Sequence, residues 1–298
     1  MPLPRDSNGF IKTFTSNQEL EIINFFDKYG VVVIENVLNE KEIQDSIDAI
    51  WDHQELVSRG VSRYDPQTWH HSWPMDGKIE RKGWINSYDD VLCPRSWKNR
   101  FNPTLVKVFE MLWTHIKGSK QDLRVNFDRY GVMRPILDPK WKTDDGWLHT
   151  DQNPRTEKDF VRLQGILTFT ESKEDSGGGF LCIPGFQHQW TEYCQEDHPD
   201  EHVCPFTSKS DPIEEKICVK PGSLIIWDSR LPHANFPNES KTQFRFVQYI
   251  TYYPSYLESS KKTRIRSEDA VFIKEQMKRE GLEFGDQEYR YIGGIKST

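Results

Sequence analysis

The spacing of apolar residues changes character once along the chain. Over residues 16–29, 39–57 and 103–116 apolar positions recur every three or four residues, whereas from about 122 to about 255 they fall in short runs that alternate with polar ones. Over residues 16–29 (SNQELEIINFFDKY), Leu20, Ile23, Phe25 and Phe26 lie near helical spacing. Ser16 offers a cap with Glu19 three residues on, and Gly30 stops the helix. Val31-Val32-Val33-Ile34 is β-branched, short, and bounded by Gly30 and Asn36, so it reads as a buried strand. A second helix is expected from about residue 39 to 57, with Ile43, Ile47, Ile50 and Trp51 on one face, and a third over 103–116 around Leu105, Val108, Phe109, Leu112 and Trp113.

Between those helices, residues 58–102 are irregular and hold Trp69, Trp73, Trp84 and Trp97, with Pro66, Pro74 and Pro94 as breaks. Long irregular segments are usually functional or disordered, and this much tryptophan argues for order. A lid or pocket wall is one reading, and simple packing over the core is the other. Beyond Gly118, residues 122–130 alternate and predict a strand. Further strands are expected at 147–151, 161–170, 179–183, 215–219, 223–228 and 243–253, with residues 234–240 as a loop. No helices interleave with these strands, which disfavours a parallel α/β sheet and leaves an antiparallel sandwich or jelly roll. One more helix is expected near 267–280, ending before Gly281. The chain thus reads as a single domain over 1–298, mainly β with flanking helices. It has an N-terminal helical layer (about 15–118), a β core (about 122–255) and a C-terminal tail with a helix (about 256–298).

Composition narrows the classes. At 298 residues the chain can bury a substantial core, and 36% hydrophobic with 29% charged residues suits a soluble globular protein. A net charge of -7 without a long basic run offers no footprint for nucleic acid. Five scattered cysteines do not suggest a disulfide framework, and a reducing compartment fits. No apolar run reaches the length of a membrane span and the first residues lack a signal-like core, so a cytoplasmic protein is expected, as monomer or homodimer.

The chemistry concentrates in the second half. In Trp147-Leu148-His149-Thr150-Asp151, strand alternation points His149 and Asp151 to one side. Leu231-Pro232-His233 follows a turn at Pro221-Gly222 and the strand Ser223 to Asp228. Were the fold to bring His233 across, two histidines and one carboxylate would share a face of one metal. That arrangement holds non-haem Fe(II) and leaves positions for O2 and a co-substrate. Arg245 lies on the next strand, which can neighbour the one ending at His233, and its planar charged fork suits a carboxylate. A bidentate 2-oxo acid with a second carboxylate at its far end, which describes 2-oxoglutarate, fits metal and arginine together. Arg162 and Arg230 are alternative clamps. A cupin-type metal-dependent hydrolase or isomerase, or a non-catalytic metal-binding β-sandwich, could use the same three ligands but needs no such cation.

Several stretches together resemble the phytanoyl-CoA dioxygenase-like (PhyH) family. They are the Gly30-VVVI strand between two helices, HTD at 149–151, Gly177-Gly178-Gly179-Phe180-Leu181 with Ile183-Pro184-Gly185 and His188, then PGSLIIWD at 221–228 and LPH at 231–233. The likeness runs from about 15 to about 255 and matches 58–102 and the tail poorly. It implies a double-stranded β-helix (jelly roll, cupin-like) core and Fe(II)- and 2-oxoglutarate-dependent oxidation of a small organic molecule by O2. By the same resemblance His149, Asp151 and His233 match the iron ligands and Arg245 the arginine for the distal co-substrate carboxylate. Asn235 stands where members often have a small hydroxyl residue, and the step from His233 to Arg245 is one residue longer than the family pattern. Gln164 and Thr168, on one face by parity, are further candidate contacts to 2-oxoglutarate, with Asn126 and Arg129 for its C1 carboxylate or for the substrate. Related halogenating enzymes have Gly or Ala in place of the acid; Asp151 therefore implies hydroxylation, or another oxidation that begins with hydrogen abstraction, and not halogenation.

A second cluster, Cys194, His198, His202 and Cys204, has zinc-like composition. Pro199 interrupts any helix that would align the histidines, so a solvated, acidic insertion is the preferred reading and a structural zinc the alternative. His70-His71 reads as a loop feature.

Overall fold

The computed structural model describes residues 1–74, 78, 80–85, 93–159, 162–175, 177–199, 204–207, 212–259 and 267–293. The helical layer begins with α1 (Glu19–Tyr29), which ends where Gly30 turns to φ 70° and its N–H reaches Phe26 O. β1 (Val31–Ile34) follows, wholly buried. α2 (Glu40–Trp51) starts on a capping box in which Asn39 and Glu42 satisfy each other's backbone N–H. The helix expected over 39–57 is two helices, because the chain breaks after Trp51 and turns His53 inward, edge-on to Tyr130, before α3 (Gln54–Ser58). Two short helices, α4 (Thr68–His71) and α5 (Pro94–Arg100), lie within the segment expected to be irregular. α6 (Pro103–Lys117) is capped by Asn102, whose side chain accepts from Thr104 and Leu105 N–H and donates to Val37 O.

The tryptophans of 58–102 divide between the two readings. Trp97 is fully buried and stacked on Phe101, and Trp69 and Trp73 pack against Phe244. Trp84 instead faces a cavity described below.

The strands are β2 (Leu123–Val125), β3 (Tyr130–Met133), β4 (His149–Thr150), β5 (Leu163–Thr168), β6 (Gly179–Cys182), β7 (Cys204–Pro205), β8 (Glu215–Lys216), β9 (Leu224–Asp228), β10 (His233–Phe236), β11 (Arg245–Tyr249) and β12 (Tyr252–Pro254), with the short helix α7 (Trp190–Tyr193) after β6. They form one five-stranded sheet ordered β1-β9-β5-β11-β3, a second ordered β7-β4-β10-β6-β8, and the pair β12-β2. All the strand pairs are antiparallel. From β3 to β6 successive strands alternate between the large sheets, and β9, β10 and β11 alternate again. The sheets meet through rings such as Phe180 of β6 and Trp227 of β9, 4.4 Å apart. The architecture is mainly β with flanking helices.

Several expected boundaries shift for tertiary reasons. The strand expected over 122–130 is interrupted at 126–129. There the fully buried Arg100 of α5 donates to Asn126 O and Asp128 O, replacing ladder bonds with side-chain ones. The strand expected over 243–253 is two strands in different sheets. Residues 234–236, expected in a loop, continue β10. The tail helix α8 (Ser267–Arg279) is joined by α9 (Asp286–Tyr291), which reading by period missed because it is short and finds its partners, such as Tyr252, across the fold. Among the described residues no helix is long and apolar enough to cross a membrane.

Because Asn102 caps α6 and ties it to Val37, Asn102→Ala should cost about 1–2 kcal/mol. Urea unfolding with an unchanged m-value would report it; an unchanged midpoint would remove the cap from the account.

Candidate metal centre

β10 sets His233 opposite His149 of β4 on one side and opposite Cys182 of β6 on the other. Asp151 lies one residue past the end of β4, where the strand expected over 147–151 has bent away. His149 Nε2 and His233 Nε2 approach Asp151 Oδ1 and Oδ2, each at 3.5 Å, and ligand atoms of all three residues lie within 4.8 Å of one another. Donors at roughly 2.1 Å and right angles around one cation stand about 3 Å apart, so a small contraction of these three around an ion completes a metal site.

The proton positions favour ligation. His149 Nδ1 faces Trp147 O at 3.3 Å, and His233 Nδ1 faces Leu231 O at 2.9 Å. A carbonyl only accepts, so the proton is assigned to each Nδ1 and both Nε2 lone pairs are left toward Asp151. Burial, together with the neighbouring His233, lowers the pKa of His149 although Asp151 opposes this, which keeps the imidazole neutral and able to ligate. Burial opposes ionisation of Asp151, but its contacts with His149 and His233 outweigh it and hold the carboxyl well below its ordinary range. Gln164 of β5 crosses from the other sheet to donate to Asp151 Oδ2 at 2.5 Å. Trp147 stacks on His149, and Trp227 and Phe180 pack on His233, so aromatic rings shield the centre.

These three residues face a cavity of about 420 Å³ whose walls include Lys82, Trp84, Asp128, Arg129, Trp147 and Tyr249. Among the described residues they are the group of His, Cys, Asp and Glu side chains arranged to hold a metal.

The sequence model of the family described as phytanoyl-CoA dioxygenase (PhyH) matches residues 26–247. The chain belongs to the PhyH family. A Dictyostelium discoideum protein named after phytanoyl-CoA dioxygenase is 28% identical over 268 residues, covering 78% of this chain and 74% of its own. The "Ava biosynthesis cluster protein O" of Aspergillus versicolor is 24% identical over 247 residues, covering 77% and 76%. Among solved structures, the epimerase SnoN in complex with Fe3+, alpha ketoglutarate and nogalamycin RO has a TM-score of 0.56 at 14% identity, over 84% of this chain and 93% of that one. The non-heme alpha ketoglutarate dependent carbocyclase SnoK has 0.54 at 17%, over 81% and 86%. At such identities the structural likeness speaks for the fold.

Other expected site residues of this PhyH-family chain are placed less simply. Arg245 does not neighbour the strand of His233; it starts β11 in the first sheet while His233 starts β10 in the second. Its side chain is 4% exposed and lies against Gly178 and Met133, outside the lining of the cavity proper. Gln164 holds Asp151 and keeps its own Oε1 buried without a hydrogen-bond partner. Thr168 is elsewhere: its hydroxyl donates to Lys220 O and Ser223 O, because the turn between β8 and β9 packs over it. Asn235 lines the cavity, but its amide donates to Lys82 O and accepts from the Tyr249 hydroxyl. Asn126 does not line the cavity; its N–H pairs with Thr251 O. Of the alternative clamps, Arg230 is paired with Asp228 at 2.6 Å.

Trp227, Asp128 and Tyr249 were not foreseen. Trp227 sits opposite Gln164 in register, a pairing that spacing along one strand does not reveal. In the Cys194 to Cys204 segment Gln195, Asp197 and Pro199 are exposed as expected, but the described candidate ligands are not. Cys194, His198 and Cys204 are buried because Tyr193 and Phe206 pack with Phe186, and His198 Nε2 meets Tyr193 O at 2.5 Å; His202 lies outside the described residues. His70 is on α4 rather than in a loop, its ring against Trp141.

Replacing His233 by Ala removes one of three donors and should abolish stoichiometric Co(II) binding in calorimetry while leaving the far-UV spectrum intact. Retained one-to-one binding would displace the metal from this triad.

Proposed function

We propose that the chain is an Fe(II)- and 2-oxoglutarate-dependent oxygenase that hydroxylates a small organic molecule. In this reading residues 1–298 are one domain with a double-stranded β-helix core, which the alternation of strands between the sheets supports. His149, Asp151 and His233 would hold the iron. The observation that carries the co-substrate is Arg245, a buried guanidinium whose Nη1 has no hydrogen-bond partner. A buried cation is costly without an anion, and the distal carboxylate of 2-oxoglutarate supplies one.

Trp227 Nε1 is likewise buried without a partner, on the ring that packs against His233. It offers an N–H donor beside the metal that a carboxylate oxygen would accept. When bound, iron with 2-oxoglutarate and O2 supplies oxidation of a substrate C–H bond coupled to loss of CO2 from the co-substrate. The protein contributes orientation and exclusion of water. Gln164 fixes the Asp151 carboxylate, the carbonyls of Trp147 and Leu231 fix the imidazoles, and the rings around them keep the centre dry. Asp151 occupies a ligand position that halogenation would leave to halide. The hydrolase and isomerase readings give no use to Arg245.

Anaerobic addition of Fe(II) and 2-oxoglutarate should produce a weak visible charge-transfer band, and its absence in metal-loaded protein would sink the oxygenase reading. Arg245→Ala should raise the 2-oxoglutarate concentration at half-saturation of that band by about 10–100-fold, the worth of a charge-assisted hydrogen bond. An unchanged concentration would move the clamp elsewhere.

A further inference from the structure

Residues 126–129 interrupt the strand that connects β2 to β3, and the interruption has a builder. Arg100, fully buried on α5, donates to the carbonyls of Asn126 and Asp128, while Arg129 O accepts from Tyr249 N–H. With the backbone held on both sides, the side chains of Asp128 and Arg129 are left at the wall of the metal cavity. They are incompletely used there. Asp128 Oδ1 accepts the backbone N–H of Arg129, and the two side chains approach only to 3.7 Å, a distance beyond hydrogen bonding. Among the described residues no other hydrogen bond engages either side chain. Burial raises the carboxyl pKa of Asp128 against the pull of Arg129.

The surroundings define what would complete them. Trp84 stands edge-on to Trp147 at 5.6 Å and to Tyr249 at 5.9 Å, giving an aromatic wall. The Tyr249 ring is fixed by its hydroxyl on Asn235, and Trp84 is fixed by its bridge to Gly131, two residues from Arg129. Charge at this end cancels between Asp128 and Arg129. Of the other cations on the wall, Lys82 lies over the Trp147 ring at 4.1 Å and Lys78 is exposed to solvent, where its field is screened. A cavity of about 420 Å³ lies low in the usual range of ~300–1,000 Å³ for small-molecule sites, and it must hold the co-substrate as well.

We infer that Asp128 and Arg129 are the substrate-recognition pair of this cavity, and that they select a net-neutral, ring-bearing small molecule carrying a hydroxyl beside a carbonyl. The substrate hydroxyl donates to Asp128, Arg129 donates to the carbonyl, and the ring packs on Trp84, Trp147 and Tyr249. The role assigned to the pair rests on the oxygenase reading, and the test separates the two.

Three probes share one skeleton: mandelamide is neutral, mandelate anionic and 2-amino-1-phenylethanol cationic. Their binding to the anaerobic protein with Fe(II) and saturating 2-oxoglutarate is read by quenching of tryptophan fluorescence, while the charge-transfer band reports the co-substrate independently. Mandelamide should bind at least tenfold more tightly than either charged probe. Asp128→Asn and Arg129→Gln should each erase that preference with the half-saturating 2-oxoglutarate concentration unchanged. No saturable binding of mandelamide, equal binding of mandelate, or a preference that survives both substitutions overturns the inference. Loss of 2-oxoglutarate affinity in Arg129→Gln also overturns it, since Arg129 would then serve the co-substrate. The preference in the native chain decides the matter if a variant does not fold. A preference seen without any charge-transfer band fells the oxygenase reading and leaves the neutral-ligand selectivity standing.

Discussion

The structure depends on the register of β10. Side chains on a strand alternate faces, so a slip of one residue would turn His233 away from His149 and dissolve the metal triad. β4, which carries His149, has only two residues and a single ladder position with β10, too little to hold a register by itself. The lock lies on the opposite edge, where four residues of β10 pair with β6 from Cys182 back to Gly179. The pairing of β4 with β7 steadies His149 from outside. Gln164 then joins the two sheets at the point of greatest consequence, reaching from β5 to the Asp151 carboxylate. The metal centre is therefore a property of the second sheet, oriented by one amide from the first.

The same layering governs the buried cation. Arg245 belongs to the first sheet, and its side chain runs where a Cβ on Gly178 would stand 2.7 Å from its Cδ. The glycine is needed there for space, since its own backbone conformation is ordinary. Removing an arginine from water without an anion is unfavourable, and the neighbouring Lys216, also buried, makes the position more positive. An anion bound there would therefore add to the stability of the sheet that holds it.

The features legible in the sequence were those fixed by local period or by short spacing. α1, β1 and α6 follow from apolar periodicity and terminal glycines, and the grouping of His149, Asp151 and His233 follows from H-x-D and a distant histidine, although Asp151 lies past the end of β4 rather than on the expected strand. What escaped depends on partners far along the chain. Parity placed Thr168 and Gln164 on one face, yet only the packing of residues 220–223 over Thr168 decides that its hydroxyl is consumed. Alternation over 122–130 was real, but Arg100 from α5 overrides it at 126–129. Period likewise cannot tell which sheet a strand joins: by sequence β10 and β11 can be neighbours, and they stand in opposite layers. The burial of His198 came from aromatic packing that an acidic, proline-containing segment does not announce.

Those overrides cluster around the cavity, and there is a physical reason for it. A continuous strand from 122 to 133 would commit its backbone to ladder bonds and set its side chains at a fixed pleat. By satisfying two carbonyls with a guanidinium, Arg100 frees four residues from the pleat without leaving buried polar groups unpaired. The break leaves Asp128 and Arg129 at the wall of the cavity that His149, Asp151 and His233 also line. The candidate metal ligands and the Asp128–Arg129 pair are thus carried by separate layers. Substitutions at 126–129 can alter what the cavity accepts while β10 keeps its register and the triad its shape.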